Sequence, residues 1–120
     1  MVTAYFFDTS ALTEQVRRNP LYQPYVGATI ITTQLNLFDV YYWLVKDFGL
    51  DIANRFLENY YPFTKNLNLK TIQKAAQIKR LHPQFSNTNC IGYAVANQLK
   101  IPFLTGDSAF HGMDGIEFVK

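Results

Sequence analysis

The chain has 120 residues, of which 48% are hydrophobic and 17% are charged, which excludes intrinsic disorder and allows one buried core. We therefore expect one domain spanning residues 1–120. The formal net charge of +2 is too small to indicate nucleic-acid binding by itself. No apolar run approaches the roughly 20 residues of a membrane span, and the start MVTAYFFD lacks a basic leader. These features predict a soluble cytoplasmic protein without a membrane partner.

Strand and helix patterns alternate along the first half of the chain. The residue before a proline avoids helical geometry, so a helix after the first strand should end before Asn19 and Pro20. Thr33 is placed to cap a long helix that Gly49 ends. The predicted elements are a strand at 4–7, a helix at 10–18, a strand at 28–32, and helices at 34–48 and 51–59.

The second half continues the alternation, and Ser86 or Asn87 is the expected cap of its last helix. Strands separated by helices favour a three-layer α/β/α fold around a mainly parallel central sheet of four to five strands. The predicted elements here are helices at 70–81 and 88–99 and strands at 101–105 and 116–119.

Two acidic residues follow predicted strands directly. Asp8 ends the strand AYFF, and Asp107 lies in the turn TGD after the strand IPFLT. The carboxyl ends of parallel strands share one edge of a sheet, and ligands bind at that edge. We therefore expect these two carboxylates to converge.

The long helix at 34–48 supplies a third acid, Asp39, about 40° around the helix from Leu35. It lies at the margin of an apolar stripe that we expect to face the core, where a carboxylate needs a partner. The opposite side of this helix is also apolar, which predicts burial on both sides and hence a homodimer interface. The stripe comprises Leu35, Phe38, Tyr42 and Val45, and the opposite side Leu37, Val40, Tyr41, Leu44 and Phe48.

Clustered carboxylates repel one another unless a cation lies among them. Hard oxygen ligands select Mg²⁺ or Mn²⁺. Such an ion can activate a water molecule and neutralise the charge that develops on a phosphoryl oxygen. The acids therefore favour metal-assisted hydrolysis of a phosphodiester bond.

The segments FFDTSAL, TQLNLFDVYYWL and IPFLTGDSAF resemble three motifs of the PIN domain family, in particular the VapC-type ribonuclease toxins and their archaeal relatives. The resemblance spans almost the whole chain and implies a PIN-like fold and an endoribonuclease acting on RNA with Mg²⁺ or Mn²⁺. It also implies a small VapB-like antitoxin as a partner. By this resemblance the metal is bound by Asp8, Asp39 and Asp107, with Thr9, Ser10 and Thr105 as supporting hydrogen-bonding residues.

The segment SNTNCIGYAVANQLKIPFLTGD departs from the family pattern. Members usually have aspartate where this chain has Asn89, and glutamate where it has Asp39. Asparagine keeps a carbonyl oxygen but loses a charge, and unit charges about 4 Å apart attract by about 4 kcal/mol near a protein surface. We therefore count Asn89 among the catalytic positions and expect it to weaken metal binding.

Simpler interpretations remain open for each acid. Asp8 or Asn89 could only cap a helix, Asp107 could be a turn residue, and Asp39 could pair with Lys46. At the level of function, the alternative is a non-catalytic PIN-like module that binds RNA or a protein. A phosphotransferase with Asp8 as the nucleophile is disfavoured, because such enzymes carry a second acid where this chain has Ser10.

The remaining polar residues do not define an RNA-binding surface. A basic cluster could follow RNA phosphates, although charged helix faces more often only face solvent. We expect His82 and His111 to be exposed and Cys90 to be buried and inert. The basic residues are Lys70, Lys74, Lys79 and Arg80, with Arg17 and Arg18 elsewhere.

Overall fold

In the computed structural model, which describes residues 4–120, a four-stranded parallel sheet lies between two layers of helices. The predicted α/β/α fold is confirmed. Short 3₁₀ helices that the sequence did not predict lie at Pro20–Tyr25, Tyr61–Phe63 and Ser108–Phe110. The main elements are β1 (Ala4–Phe7), α1 (Thr9–Val16), β2 (Thr29–Ile31), α2 (Gln34–Phe48), α3 (Leu50–Tyr60), α4 (Leu69–Leu81), α5 (Asn87–Leu99), β3 (Phe103–Thr105) and β4 (Ile116–Phe118).

The strand order β2-β1-β3-β4 places the first strand inside the sheet. The chain moves from β1 to one neighbour, β2, and later returns to the other side as β3. Parallel sheets open a crevice at such a reversal, outside the carboxyl ends of the strands. Phe7 pairs with Leu104 across this reversal, so the residues that follow these two strands are neighbours.

Both faces of the sheet are buried. Successive side chains of a strand point to opposite faces, and Phe6 and Phe7 accordingly enter different cores. Phe7 and Leu104 pack with α1, α2 and α3, whereas Phe6 and Phe103 pack with α4 and α5. The two apolar layers explain why the strands read as continuous hydrophobic runs.

Local capping explains most helix boundaries. Thr33 and Ser86 accept hydrogen bonds from the third backbone amide of α2 and α5, and Gly49 ends α2 with a φ of 92°. The predicted bounds of α2 are confirmed at both ends. The predicted strand at 101–105 is too long, because the Ile101 amide donates to the Ala96 carbonyl at the end of α5.

The single chain buries only one side of α2, so burial of its other side at a homodimer interface stays a prediction. Its side toward Val40 and Leu44 is fully buried. In the stripe that we expected in the core, Phe38 and Tyr42 instead face outward, at 67% and 62% exposed, whereas Val45 packs against the core. The side chain of Leu35 is also exposed, at 38%. Within residues 4–120, no helix is long and apolar enough to cross a membrane.

Gly92 lets α5 lie against the sheet, and its replacement should be costly. A Cβ at Gly92 would lie 2.7 Å from Cε1 of Phe6, a buried ring that stacks on Phe103. Overpacking costs about 2 kcal/mol, whereas alanine gains about 1 kcal/mol of helix propensity. We therefore expect Gly92→Ala to lower the free energy of unfolding by about 1 kcal/mol in urea denaturation.

The matched control is Gly27→Ala, because a Cβ at Gly27 meets no atom within 4 Å. This variant should lose no stability. A Gly92→Ala protein as stable as the wild type would show that the contact with Phe6 relaxes without cost.

Candidate functional site

Asp8 lies at the carboxyl end of β1 and caps α1. Its Oδ1 accepts a hydrogen bond of 2.8 Å from the Ala11 amide, so the simple capping interpretation is correct as far as it goes. However, Oδ1 also accepts from the Ser10 hydroxyl at 2.6 Å, and Oδ2 accepts from the Thr105 hydroxyl at 2.5 Å. The side chain is only 2% exposed. Asp8 is therefore held far more firmly than a cap requires.

The acceptor capacity of Asp8 is not exhausted by these bonds. A carboxylate offers about four lone-pair sites. Within residues 4–120, two donors reach Oδ1 and one donor, Thr105, reaches Oδ2. One acceptor position on Oδ2 thus remains for a ligand.

The turn after β3 ties Asp107 to the same network. The Thr105 hydroxyl accepts from the Asp107 amide at 2.9 Å while donating to Asp8, and the Ser10 hydroxyl accepts from the Gly106 amide at 3.0 Å. Residues from opposite ends of the chain therefore fix the two acids relative to each other. The supporting positions predicted for Ser10 and Thr105 lie within this network.

Tyr22 is a site neighbour that the sequence did not indicate. A Cβ at Gly106 would lie 2.7 Å from the Tyr22 hydroxyl oxygen and 3.1 Å from the Val119 carbonyl oxygen, so a larger residue would have to displace these groups. Burial, followed by the charges of Asp8 and Glu14, raises the pKa of Tyr22 to about 12. The phenol therefore stays protonated and neutral next to the acids.

The electrostatics of Asp8 are unfavourable in the protein alone. Burial raises the pKa of Asp8, its hydrogen bonds lower that pKa, and the nearby charge of Asp107 raises it further. In the described part of the chain, the one ion pair joins Arg17 to Glu14 at 3.2 Å. No basic side chain of residues 4–120 therefore neutralises the buried carboxylate.

Asp39 reaches the site through Thr9. The Thr9 hydroxyl donates to Oδ2 of Asp39 over 3.4 Å and accepts from the Asn36 side-chain amide at 3.2 Å. Asp39 is half-buried, and the ion pair with Lys46 does not form among the described residues. The sequence analysis did not identify Asn36. Its place four residues before Val40, on the same face of the helix, was a signal that could have identified it.

Asn89 touches Asp107 directly. Its backbone amide donates to the Ser86 hydroxyl at 3.0 Å, so Ser86 and not Asn89 caps α5. The Asn89 side-chain amide instead donates to Oδ2 of Asp107 over 3.4 Å. The chain thus places a neutral donor against the carboxylate where the family resemblance places another acid.

The donor set fits a magnesium ion held mainly by water. Within residues 4–120, no three Asp, Glu, His or Cys side chains come together as a metal site. Mg²⁺, however, commonly binds one or two carboxylates and keeps several waters. Among residues 4–120, neither Asp8 nor Asp107 has a basic partner, so they could serve as two such carboxylates. Direct coordination by Asp39 stays a prediction.

Other candidate groups lie in different surroundings. Cys90 is buried, and burial raises the pKa of its thiol, so the expectation of an inert cysteine is supported. His111 is exposed as predicted, but His82 is half-buried and stacks on Phe85. Lys79 donates to the Phe85 carbonyl and so differs from a freely solvated lysine.

The raised pKa of Asp8 has a measurable consequence for stability. Because the folded state binds this proton more tightly than the unfolded state, stability falls as the pH rises from 3.8 through the folded pKa. Asparagine caps helices as well as aspartate and carries no charge. Asp8→Asn should therefore raise the free energy of unfolding at about pH 7 and remove this pH dependence.

Urea denaturation across the acidic and neutral range measures this effect. Asp114→Asn, at an exposed loop carboxylate, is the control and should leave the pH dependence in place. A destabilised Asp8→Asn protein at neutral pH would mean that the carboxylate stabilises the fold.

Comparisons with known proteins support the fold. No protein-family model matches the chain, and no curated protein matches it. Among solved structures, the chain is similar to a chain of a toxin-antitoxin complex from Klebsiella pneumoniae, with a TM-score of 0.79. The two share 14% sequence identity, and the similarity covers 94% of this chain and 95% of the other. At this identity the similarity shows a common fold alone.

Proposed function

We propose that this protein is a metal-dependent endoribonuclease of the PIN/VapC toxin type, with Mg²⁺ or Mn²⁺ as its cofactor. The observation that carries the proposal is the buried Asp8 carboxylate, which lies at the reversal point of the sheet and has no basic partner among residues 4–120. The order of the three sequence motifs supports it, as does the fold shared with a chain of a toxin-antitoxin complex.

Each residue of the site would have a distinct role in the reaction. Asp8 and Asp107 would hold the cation, while Ser10 and Thr105 keep the Asp8 carboxylate in one orientation. The bound ion would supply an activated water and neutralise charge on the phosphoryl oxygen. Asp39, which accepts a hydrogen bond from the Thr9 hydroxyl, would contribute to cation binding directly or through a bound water. Hydrolysis would leave a 5′-phosphate and a 3′-hydroxyl, as the family resemblance implies.

The alternative function is a PIN-like module that binds RNA or a protein without cutting. The contact of the Asn89 amide with Asp107 favours it, because this donor uses a carboxylate oxygen and adds no charge for a metal. The two functions make different predictions for purified protein with single-stranded RNA.

We expect the wild type to cleave single-stranded RNA with Mn²⁺ and to lose this activity in EDTA. Asp8→Asn protein, purified in parallel, is the control for contaminating nucleases and should lose at least about 100-fold in rate, as expected for loss of a main electrostatic contact. End analysis of the fragments should find 5′-phosphates. RNA binding without cleavage by the wild type would support the binding module instead.

Asn89→Asp should strengthen Mn²⁺ binding at least about tenfold, because it restores a negative charge close to Asp107. The substitution also suits the first turn of α5, where a carboxylate interacts favourably with the helix dipole. Isothermal titration with Mn²⁺ measures the change. Asn87→Asp adds the same charge in the same turn at an exposed position and should change the affinity less. Equal affinities for wild type and Asn89→Asp would remove Asn89 from the site.

The exposed stripe of α2 supports partner binding, either to a second copy as a homodimer or to a small VapB-like antitoxin. Phe38 of this stripe and Tyr61 help to line a cleft of about 220 Å³ between α2 and α3. Cleavage of RNA inside the cell would place the protein in the cytoplasm.

Phe38→Asp should convert a dimer into a monomer in sedimentation analysis, because it puts a charge into the apolar stripe. Leu81→Asp, at a 76% exposed position of α4, is the control and should leave the mass unchanged. A wild type that is already monomeric would contradict the dimer.

A further inference from the structure

We propose that Asn36 is a positioning residue that orients the Asp39 carboxylate through Thr9, an inference that rests on the proposed function. Asn36 is fully buried near the start of α2, on the side of the helix that faces the core. A buried amide is costly unless its polar atoms are hydrogen-bonded. Helix formation does not explain an asparagine at this position, because leucine and alanine have higher helix propensity.

Two hydrogen bonds with the Thr33 hydroxyl orient the Asn36 side-chain amide. The Asn36 backbone amide donates to the Thr33 hydroxyl at 3.3 Å, so the Thr33 hydroxyl proton is free to point elsewhere. That proton is donated to Oδ1 of Asn36 at 2.6 Å. The carbonyl of the side-chain amide thus faces Thr33, and its NH₂ group faces Thr9.

The NH₂ group fixes the next hydroxyl in turn. Nδ2 of Asn36 can only donate, so Thr9 must accept from it at 3.2 Å. The single Thr9 proton is then left for Oδ2 of Asp39, 3.4 Å away. The series of bonds therefore has one direction, from the backbone of α2 to the carboxylate of Asp39.

This direction matters for a carboxylate that serves a reaction. The Thr9 hydroxyl donates to Oδ2 of Asp39, and no hydrogen bond from residues 4–120 reaches Oδ1, which leaves Oδ1 for a water or an ion. The last contact, at 3.4 Å, is longer than an ordinary hydroxyl–carboxylate hydrogen bond. Groups that orient a metal-binding carboxylate commonly change metal affinity 10-fold to 100-fold when they are replaced.

The test measures Mn²⁺ affinity by isothermal titration in Asn36→Leu and Thr9→Val, which remove the amide and the hydroxyl without a large change in volume. We expect each variant to bind Mn²⁺ about tenfold more weakly. Thr9→Ser keeps the hydroxyl and should restore affinity to near the wild-type value. If Asn36→Leu fails to fold, Thr9→Val and Thr9→Ser still test the same bonds.

Two further experiments distinguish the positioning role from a merely structural one: the same substitution in an Asp39→Asn variant, and a control substitution elsewhere. In Asp39→Asn protein, Asn36→Leu should change Mn²⁺ affinity by less than about twofold, because the group that it orients is gone. Thr71→Val removes a buried hydroxyl of α4, bonded to Asn68 and Gln98. This control should lower stability and leave Mn²⁺ affinity unchanged.

The outcomes distinguish this inference from the proposed function. Wild-type affinity in both Asn36→Leu and Thr9→Val overturns the positioning role and leaves the nuclease proposal intact. An equal loss of affinity in the Asp39→Asn background overturns it as well. Absence of Mn²⁺ binding in the wild type and in Asn89→Asp overturns the proposed function, and the positioning role with it.

Discussion

The site depends on one unfavourable interaction, the burial of the Asp8 carboxylate beside Asp107 without a basic partner among residues 4–120. Hydroxyls and a backbone amide hold this carboxylate in place but do not neutralise it. A protein that keeps such a group sacrifices some stability. The cost is understandable if a cation binds there, because the same burial that raises the pKa also strengthens attraction to a metal ion.

The topology of the sheet creates this arrangement. Because β1 is internal and β3 lies beside it, Asp8 and Thr105 are adjacent although they are far apart in sequence. The helices then start close to the same edge, with α1 capped by Asp8 and α5 placing Asn89 against Asp107. The fold therefore determines the position of each site residue, and apolar layers pack on both faces of the sheet that carries them.

The sequence predicted the fold and the positions of Asp8 and Asp107 at the ends of strands, because capping residues and strand ends are local signals. The sequence could not show which side of α2 is buried. Both sides are apolar, and periodicity alone does not say which side packs against the sheet. Asn36 and Tyr22 were missed for a related reason. Their roles come from contacts with Thr9 and Gly106, which only the assembled sheet brings near.

The most direct test of metal binding at Asp8 is a crystal structure of the wild-type protein soaked in Mn²⁺, with the anomalous scattering of the ion measured. We expect an anomalous peak within coordination distance of Oδ2 of Asp8 and next to Asp107, because among residues 4–120 only Thr105 donates to that oxygen. A well-ordered site with no peak at Asp8, at a concentration that saturates binding in solution, would contradict it.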